Sequence, residues 1–297
     1  MPETGMPFSG SGDFAVTEDA CAKINLALHV TGQRADGYHL LEMLVTFARY
    51  GDRLGFAAAD ADDFTLSGQF ADVLADDPGT NLVLKARDLL REAAGGAPPV
   101  RIHLEKNLPV ASGIGGGSAD AAATLRGLMR LWDVALPAET IAALALKLGA
   151  DVPMCLKSAP LIARGIGEEI ETADTLPSFA MVLANPLKGV STPEVFRRLA
   201  TKNNPPLVLI KTPHWMEAIR ATRNDLEPPA RELVPEIVEI SNMLTAEGAH
   251  FIRMSGSGAT CFGIFETPVA ALRAAEHLHA ARPDWYFQAT ETFAGGV

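Results

Sequence analysis

The sequence predicts an α+β protein, and three observations carry that expectation. Its first half reads as strands followed by helices, rather than as a regular strand–helix alternation. Its second half reads as a strand, several helices, two strands around a glycine loop, a helix and a last strand, which suits helices packed on one sheet. Its 297 residues, 48% hydrophobic and 21% charged, have the size and composition of one large globular domain or two packed medium ones.

Taken in order, residues Met1 to about Asp13 are rich in Gly, Ser and Pro and are expected to form a loose tail. From Ala20 the pattern alternates: Ile24, Leu26, Leu28 and Val30 fall on one face, and Lys23, Asn25, Ala27 and His29 on the other. That is the pattern of a half-buried strand, with Lys23 and Asn25 side by side on its non-core face. The turn TGQRADG leads to a second strand from His39 to Tyr50, and short strands are expected near Arg53–Ala59 and Phe64–Ser67. Thr80 or Asn81 caps a helix with Leu82, Ala86, Leu89 and Ala93 at helical spacing, ended by Gly95-Gly96. Val100, Ile102 and Leu104 form a strand that enters a glycine-rich loop and a further helix. A helix from Pro137 to Leu148 stops at Gly149. The stretch Thr172–Ser178 reads as a connection, dividing the chain into 14–172 and 173–297. Beyond it the sequence predicts a strand at Phe179–Ala184, helices starting near Thr192 and Pro213, and a longer helix from Pro229 to Glu247. Strands flanking SGSGAT, a helix at Val269–Ala281 and a strand at Trp285–Thr292 complete the order. No internal repeat or heptad array is present.

Composition narrows the function classes. Lys and Arg number 25 against 36 Asp and Glu, a net charge of −11. An acidic chain without a basic cluster argues against a nucleic-acid partner. It leaves room for an anionic small molecule, which needs only a few local cations and oriented amides. No apolar run approaches the ~20 residues that span a bilayer, and the first twenty residues have neither a basic start nor an apolar core. Cys21, Cys155 and Cys261 fit neither a disulfide framework nor a zinc site. The expected location is the cytoplasm.

The most informative stretch runs from Pro109 to Ala122. Gly113, Gly115, Gly116 and Gly117 permit positive φ and close approach to a ligand, and Ser118 then opens an Ala-rich helix whose first N–H groups face the loop. Loop amides together with a helix N-terminus make an anion site. No Lys follows Gly117 as a Walker A loop requires, and Ser118 stands where a dinucleotide fingerprint has its last glycine. Asp133, twenty residues past Gly113, falls at a helix end, where it is poorly placed for a ribose.

The segment PVASGIGGGSADAA resembles the phosphate-binding signature of the GHMP kinases. CAKINLALHVTGQRADGYHLLE and MSGSGAT resemble the first and third motifs of one branch of that family, as do LGADVP at Leu148–Pro153 and NDLE at Asn224–Glu227. The resemblance spans about Ala20 to Thr292. It implies a two-domain α+β architecture with the active site in the inter-domain cleft. It also implies transfer of the ATP γ-phosphate to a hydroxyl of a cytidyl diphosphate sugar alcohol, a step of the non-mevalonate route to isoprenoid precursors.

The site residues follow from that resemblance. Asp151 accepts the hydroxyl proton, and Lys23 keeps its carboxylate ionised and steadies the developing charge. Taken alone, an exposed strand Lys and an Asp after a helix are surface and turn residues. Asn25 hydrogen-bonds the substrate hydroxyl. Tyr38 stacks on cytosine, His39 reads its edge, and Phe196 is a second aromatic wall, although it equally suits an ordinary helix core. Pro109 and Gly113, Ile114, Gly115, Gly116, Gly117 and Ser118 cradle the triphosphate. Asn81 and Lys106 line the adenine side, and Asn81 is also a good helix N-cap. Gly256 and Ser257, with Gly258, close on phosphates or substrate, or simply form a tight turn between strands.

Two positions depart from the family pattern. Ala119 replaces a second serine after the triple glycine, and Ser112 stands where a smaller residue is common. Mg²⁺ accompanies ATP, with no Asp or Glu marked as its ligand, so phosphate oxygens and water are its expected partners. The oligomeric state, monomer or homodimer, is not written in the sequence. Two rivals stay open. One is a GHMP kinase acting on a sugar, homoserine or a mevalonate derivative, which has no need of Tyr38 beside His39. The other is a non-catalytic nucleotide-binding protein, which has no need of Lys23 and Asp151.

Overall fold

The computed structural model describes residues 13–75, 81–208 and 214–296. The tail up to residue 12, the capping alternative Thr80 and the helix start expected at Pro213 lie outside the described residues. Contacts divide the chain into two compact units. Among the described residues the first comprises 13–21, 51–110 and 116–156, and the second 22–50, 111–115 and 157–296.

Two long strands pass from one unit into the other: β1 (Val16–Gln33) and β2 (His39–Ala58). In the first unit the end of β2 pairs antiparallel with β4 (Val100–Glu105), from Arg53 opposite Glu105 to Ala58 opposite Val100. Strand β3 (Asp63–Ser67) runs parallel to β4. The unit also holds α1 (Ala71–Ala75), α2 (Leu82–Ala93), α3 (Gly116–Leu131), α4 (Ala138–Leu148) and α5 (Val152–Lys157). Helix α2 packs on α3 and α4. A Cβ on Gly127 would stand 2.2 Å from the ring of the fully buried Phe56. The bare backbone of α3 at Gly127 is therefore what lets this helix settle on the sheet.

In the second unit the start of β2 pairs antiparallel with β5 (Leu161–Arg164), which pairs with β6 (Glu169–Thr172). A separate four-stranded antiparallel sheet has the order β10-β7-β9-β8, from β7 (Ala180–Asn185), β8 (Phe251–Met254), β9 (Cys261–Phe265) and β10 (Tyr286–Glu291). Helices α9 (Glu236–Ala246) and α10 (Pro268–Ala281) pack on it. Helices α6 (Thr192–Arg197), α7 (Trp215–Arg220) and α8 (Glu227–Leu233) complete the unit.

Several expectations need correction. The alternating strand is buried on both faces: Lys23, Asn25, Ala27 and His29 are no more than 3% exposed. Alternation marks which residues share a face, but not whether the polar face is also covered. The strands expected at His39–Tyr50 and Arg53–Ala59 are one continuous strand. Helix α2 buries Val83, Ala86 and Leu90, a face turned by one residue from the Leu82, Ala86, Leu89, Ala93 stripe, and Ala93 is exposed. The long helix expected from Pro229 to Glu247 is two, interrupted at Val234-Pro235, because proline lacks the N–H that would continue the ladder. Asp151 is the turn residue just before α5, and Pro153 lies in that helix's first turn, where proline is tolerated.

Candidate active site

In the second unit, the segment Ala111–Gly115 is held by backbone groups on two sides. The Lys23 N–H donates to the Ile114 carbonyl at 2.9 Å, and the Thr260 N–H to the Ser112 carbonyl at 3.1 Å. Ser255 Oγ donates to the Gly113 carbonyl at 3.1 Å. At Gly113 φ is +78°, and a Cβ would stand 2.5 Å from the Ser255 carbonyl oxygen; one on Gly256 would stand 2.5 Å from that of Gly113. The glycine loop and the SGSG loop therefore meet backbone to backbone, at a distance only glycine allows. At Gly115, with φ +65°, a Cβ would lie 3.2 Å from Lys23 Cβ.

The SGSG loop is clamped in turn by the NDLE run. Asn224 Nδ2 donates to the carbonyls of Met254 and Gly256, at 2.8 and 2.9 Å. Asp225 Oδ2 accepts the Val30 N–H at 2.7 Å, tying the same run to β1. Ser257 Oγ lies 2.7 Å from Thr192 Oγ1, which stands at the first position of α6.

Asn25 is the unusual member of this group. Its N–H donates to Ser255 Oγ at 3.0 Å, while its side chain is 0% exposed and neither Oδ1 nor Nδ2 has a hydrogen-bond partner among the described residues. A buried amide without partners costs on the order of 1–3 kcal/mol. A side chain left in that state points to a ligand that completes it.

The aromatic residues divide differently from the expected arrangement of two walls. His39 and Phe196 are stacked on each other, ring centroids 4.4 Å apart and planes at 20°. They make one wall, while Tyr38 stands 58% exposed beside them. Phe196 is half-buried, and the fully buried residue of α6 is its neighbour Val195, so Phe196 is not ordinary helix core. His39 Nε2 is buried without a hydrogen-bond partner among the described residues. Burial, and then the charge of Lys202, lower the pKa of His39, which favours the neutral imidazole.

In the first unit, α3 begins at Gly116, and the N–H groups of Gly116, Gly117 and Ser118 have no acceptor within the helix. Gly117 is open, with only Leu82 Cδ1 at 3.6 Å from a notional Cβ. Ser118 Oγ would be 4.0 Å from a Cβ on Gly149, so the loop serine neighbours the GADVP turn that carries the half-buried Asp151. Asn81 caps α2, its Oδ1 accepting the Val83 N–H at 2.9 Å. Pro109 and Ala119 are buried.

Lys106 has a structural job that its sequence context does not reveal. Its Nζ, 2% exposed, is held between Asp52 and Asp120, at 2.8 Å from Asp120 Oδ2. Asp52 also accepts the N–H groups of Asn107 and Leu108, at 2.6 and 2.8 Å. Burial opposes the Lys106 ammonium, but the carboxylates of Asp120 and Asp52 outweigh it and raise its pKa. Burial and the neighbouring Asp52 push the Asp120 carboxyl well above the ordinary carboxylate range, against the pull of Lys106. The network is a buried lysine held between two carboxylates, directly under the start of α3: a Cβ on Gly116 would be 3.2 Å from Lys106 Nζ. The side chain expected to line the adenine is thus committed to this network.

Sequence reasoning gave no site role to Ser255, Asn224, Thr192, Asp52 or Asp120, although Asn224 opens the NDLE run. Asp120 sits within the glycine-loop signature itself. Asp52 carries no local signal, since its partners are 54 and 55 positions away in Lys106 and Asn107.

Comparison with known proteins gives consistent findings. The model of the GHMP kinases N terminal domain matches residues 81–159, and that of the GHMP kinases C terminal domain matches residues 191–284. A 4-diphosphocytidyl-2-C-methyl-D-erythritol kinase of Rhizobium etli is 73% identical over the whole of both chains. One of Agrobacterium fabrum is 61% identical over 95% of this chain and 98% of its own. A crystal structure of a 4-(cytidine 5'-diphospho)-2C-methyl-D-erythritol kinase, 35% identical, superposes with a TM-score of 0.79 over 94% of this chain and 100% of that one. The homoserine kinase of Cytophaga hutchinsonii, at 16% identity and a TM-score of 0.67 over 98% of this chain and 99% of its own, shares the fold.

Proposed function

This chain belongs to the GHMP kinase family, and from that premise we propose how its residues perform the reaction named for its full-length relatives. The enzyme is an ATP-dependent phosphotransferase acting on 4-diphosphocytidyl-2-C-methyl-D-erythritol, in the non-mevalonate supply of isoprenoid precursors. The observation that carries the substrate is 73% identity to a kinase of that name from end to end. The acceptor is the 2-hydroxyl.

Gly113, Ile114, Gly115, Gly116, Gly117 and Ser118, following Pro109, cradle the triphosphate with backbone amides; Asn81 and the Lys106 backbone line the adenine. Asp151 accepts the proton of the attacking hydroxyl, and Lys23 supplies the charge that favours its ionised form. Support for Asn25 as the residue that orients the hydroxyl comes from its buried, unpartnered amide. Cytosine is held by Tyr38 and the His39–Phe196 wall, and Gly256 and Ser257 close on the substrate. His39, whose lowered pKa favours the neutral imidazole and whose Nε2 has no partner among the described residues, suits the donor and acceptor edge of cytosine. Mg²⁺ accompanies the nucleotide and offsets phosphate charge, held through phosphate oxygens and water. The family domains are 14–172 and 173–297, around the two matched regions, and the enzyme works in the cytoplasm. Among the described residues no helix is long and apolar enough to cross a membrane.

The test is the product itself. Phosphorus NMR of a reaction with MgATP and the cytidyl substrate is expected to show a new phosphomonoester coupled to the 2-position, with ADP formed in equal amount. A phosphate at any other position would refute the assigned acceptor.

A further inference from the structure

Beside the aromatic wall stands a cation that the reading above does not use. Lys202 follows α6, and its Nζ is 3.0 Å from Gln33 Oε1 at the end of β1. Gln33 Nε2 in turn donates to the Gly37 carbonyl at 3.0 Å. Gly37 precedes Tyr38 and His39, so one side chain tethers the ammonium to the turn that carries both. The segment bearing Lys202 is pinned from the other side as well. The N–H and Nδ2 of Asn204 reach the Val30 carbonyl at 3.1 and 3.0 Å, and the Leu207 N–H donates to Glu42 Oε2 at 2.8 Å.

The partners of the neighbouring cations set Lys202 apart. Arg34 pairs with Asp36, and Arg197 and Arg198 pair with Glu194. Lys202 is half-buried, and among the described residues its hydrogen bond is to a neutral amide oxygen, with no carboxylate in ion-pair range. A carboxylate partner would offset most of the ammonium's charge; an amide does not, so the site keeps an attraction for an anion. The charge reaches the base pocket, where it helps to hold His39 neutral.

We propose that Lys202 is a specificity-determining residue that binds the diphosphate of the cytidyl substrate while Tyr38, His39 and Phe196 hold the base. The assignment rests on the cytidyl pocket given under Proposed function. Gln33 holds the ammonium at the turn until the anion arrives, and the fixed 198–208 segment keeps its reach constant.

Calorimetric titration of the full chain with cytidine, CMP and CDP tests this, with the nucleotide site filled by a non-hydrolysable ATP analogue. The wild type is expected to bind CDP about tenfold more tightly than cytidine, the order of one charge-assisted contact. Lys202→Met is expected to lose most of that preference, with cytidine affinity unchanged, and to raise KM for the cytidyl substrate about tenfold at unaltered kcat. Lys202→Arg is expected to restore most of the preference, and the His39 titration, followed by NMR, to move up in Lys202→Met. If cytidine and CDP weaken together in Lys202→Met, or CDP affinity is untouched, the proposal is overturned while the base pocket stands. Failure of the pocket reads differently: wild-type protein then binds neither ligand, or Tyr38→Ala leaves cytidine affinity unchanged, and the diphosphate role falls with it.

Discussion

Asn25 and Asp151 make opposite demands on the fold, and this separates their predicted phenotypes. The Asn25 amide gives no hydrogen bond to the described protein, so Asn25→Ala removes an unsatisfied group. It should shift stability by no more than about 1 kcal/mol in urea unfolding, while kcat/KM falls at least about tenfold through loss of a substrate contact. A large stability loss with normal kinetics would make Asn25 a structural residue instead. Asp151→Asn keeps shape and removes the base. Turnover should drop by about 10²–10⁴-fold with ATP affinity nearly intact, and unchanged turnover would remove Asp151 from the chemistry.

At the scale of elements, the glycine loop is not uniformly demanding. Gly113 combines φ +78° with a notional Cβ 2.5 Å from a carbonyl oxygen, whereas Gly117 has open space around it. Gly113→Ala should therefore lower the melting temperature and abolish ATP binding, while Gly117→Ala should fold normally, a contrast readable by calorimetry. The lysine network beneath α3 makes a similar contrast. Lys106→Met leaves Asp52 buried without its cation and should cost about 3–5 kcal/mol. Asp120→Asn keeps the shape and removes a carboxylate that burial and Asp52 disfavour, so it should cost less than Lys106→Met; an equal or larger loss would contradict that direction.

What could be read from the sequence at this scale follows from how local each cause is. The Asn81 cap and the Gly95-Gly96 stop are written within a few residues and appear as expected, while the helix after the glycine loop begins at Gly116, two residues before the expected Ser118. The two-sided burial of β1, the one-residue rotation of α2 and the Asp52–Lys106–Asp120 network depend on what packs from elsewhere in the chain. Pattern alone carries none of that. The pairing of His39 with Phe196 is likewise non-local, joining the start of β2 to α6.

For the whole molecule, acid should destabilise the fold before the ordinary carboxylates titrate. Burial lowers the pKa of His29, His39, His103 and His250 below the usual 6.5. Below that value the unfolded chain takes up protons that the folded one refuses, so stability falls as pH drops through this window, by up to about 1.4 kcal/mol per pH unit for each full proton of difference. Asp120 acts with the opposite sign: its raised folded value stabilises at low pH and loses that contribution as pH rises through it. Unfolding free energy should therefore decrease from pH 7 to 5.5. A flat profile would contradict the lowered pKa of these histidines.

The central claim, a GHMP kinase specific for a cytidyl diphosphate sugar alcohol, is tested most directly by ADP release. Purified protein is supplied with MgATP and, separately, 4-diphosphocytidyl-2-C-methyl-D-erythritol, homoserine, mevalonate and galactose. The account predicts turnover with the cytidyl compound alone. Turnover with another member of the panel would keep the kinase and contradict the pocket built on Tyr38, His39 and Phe196; bound ATP without turnover on any of the four would contradict the enzyme itself.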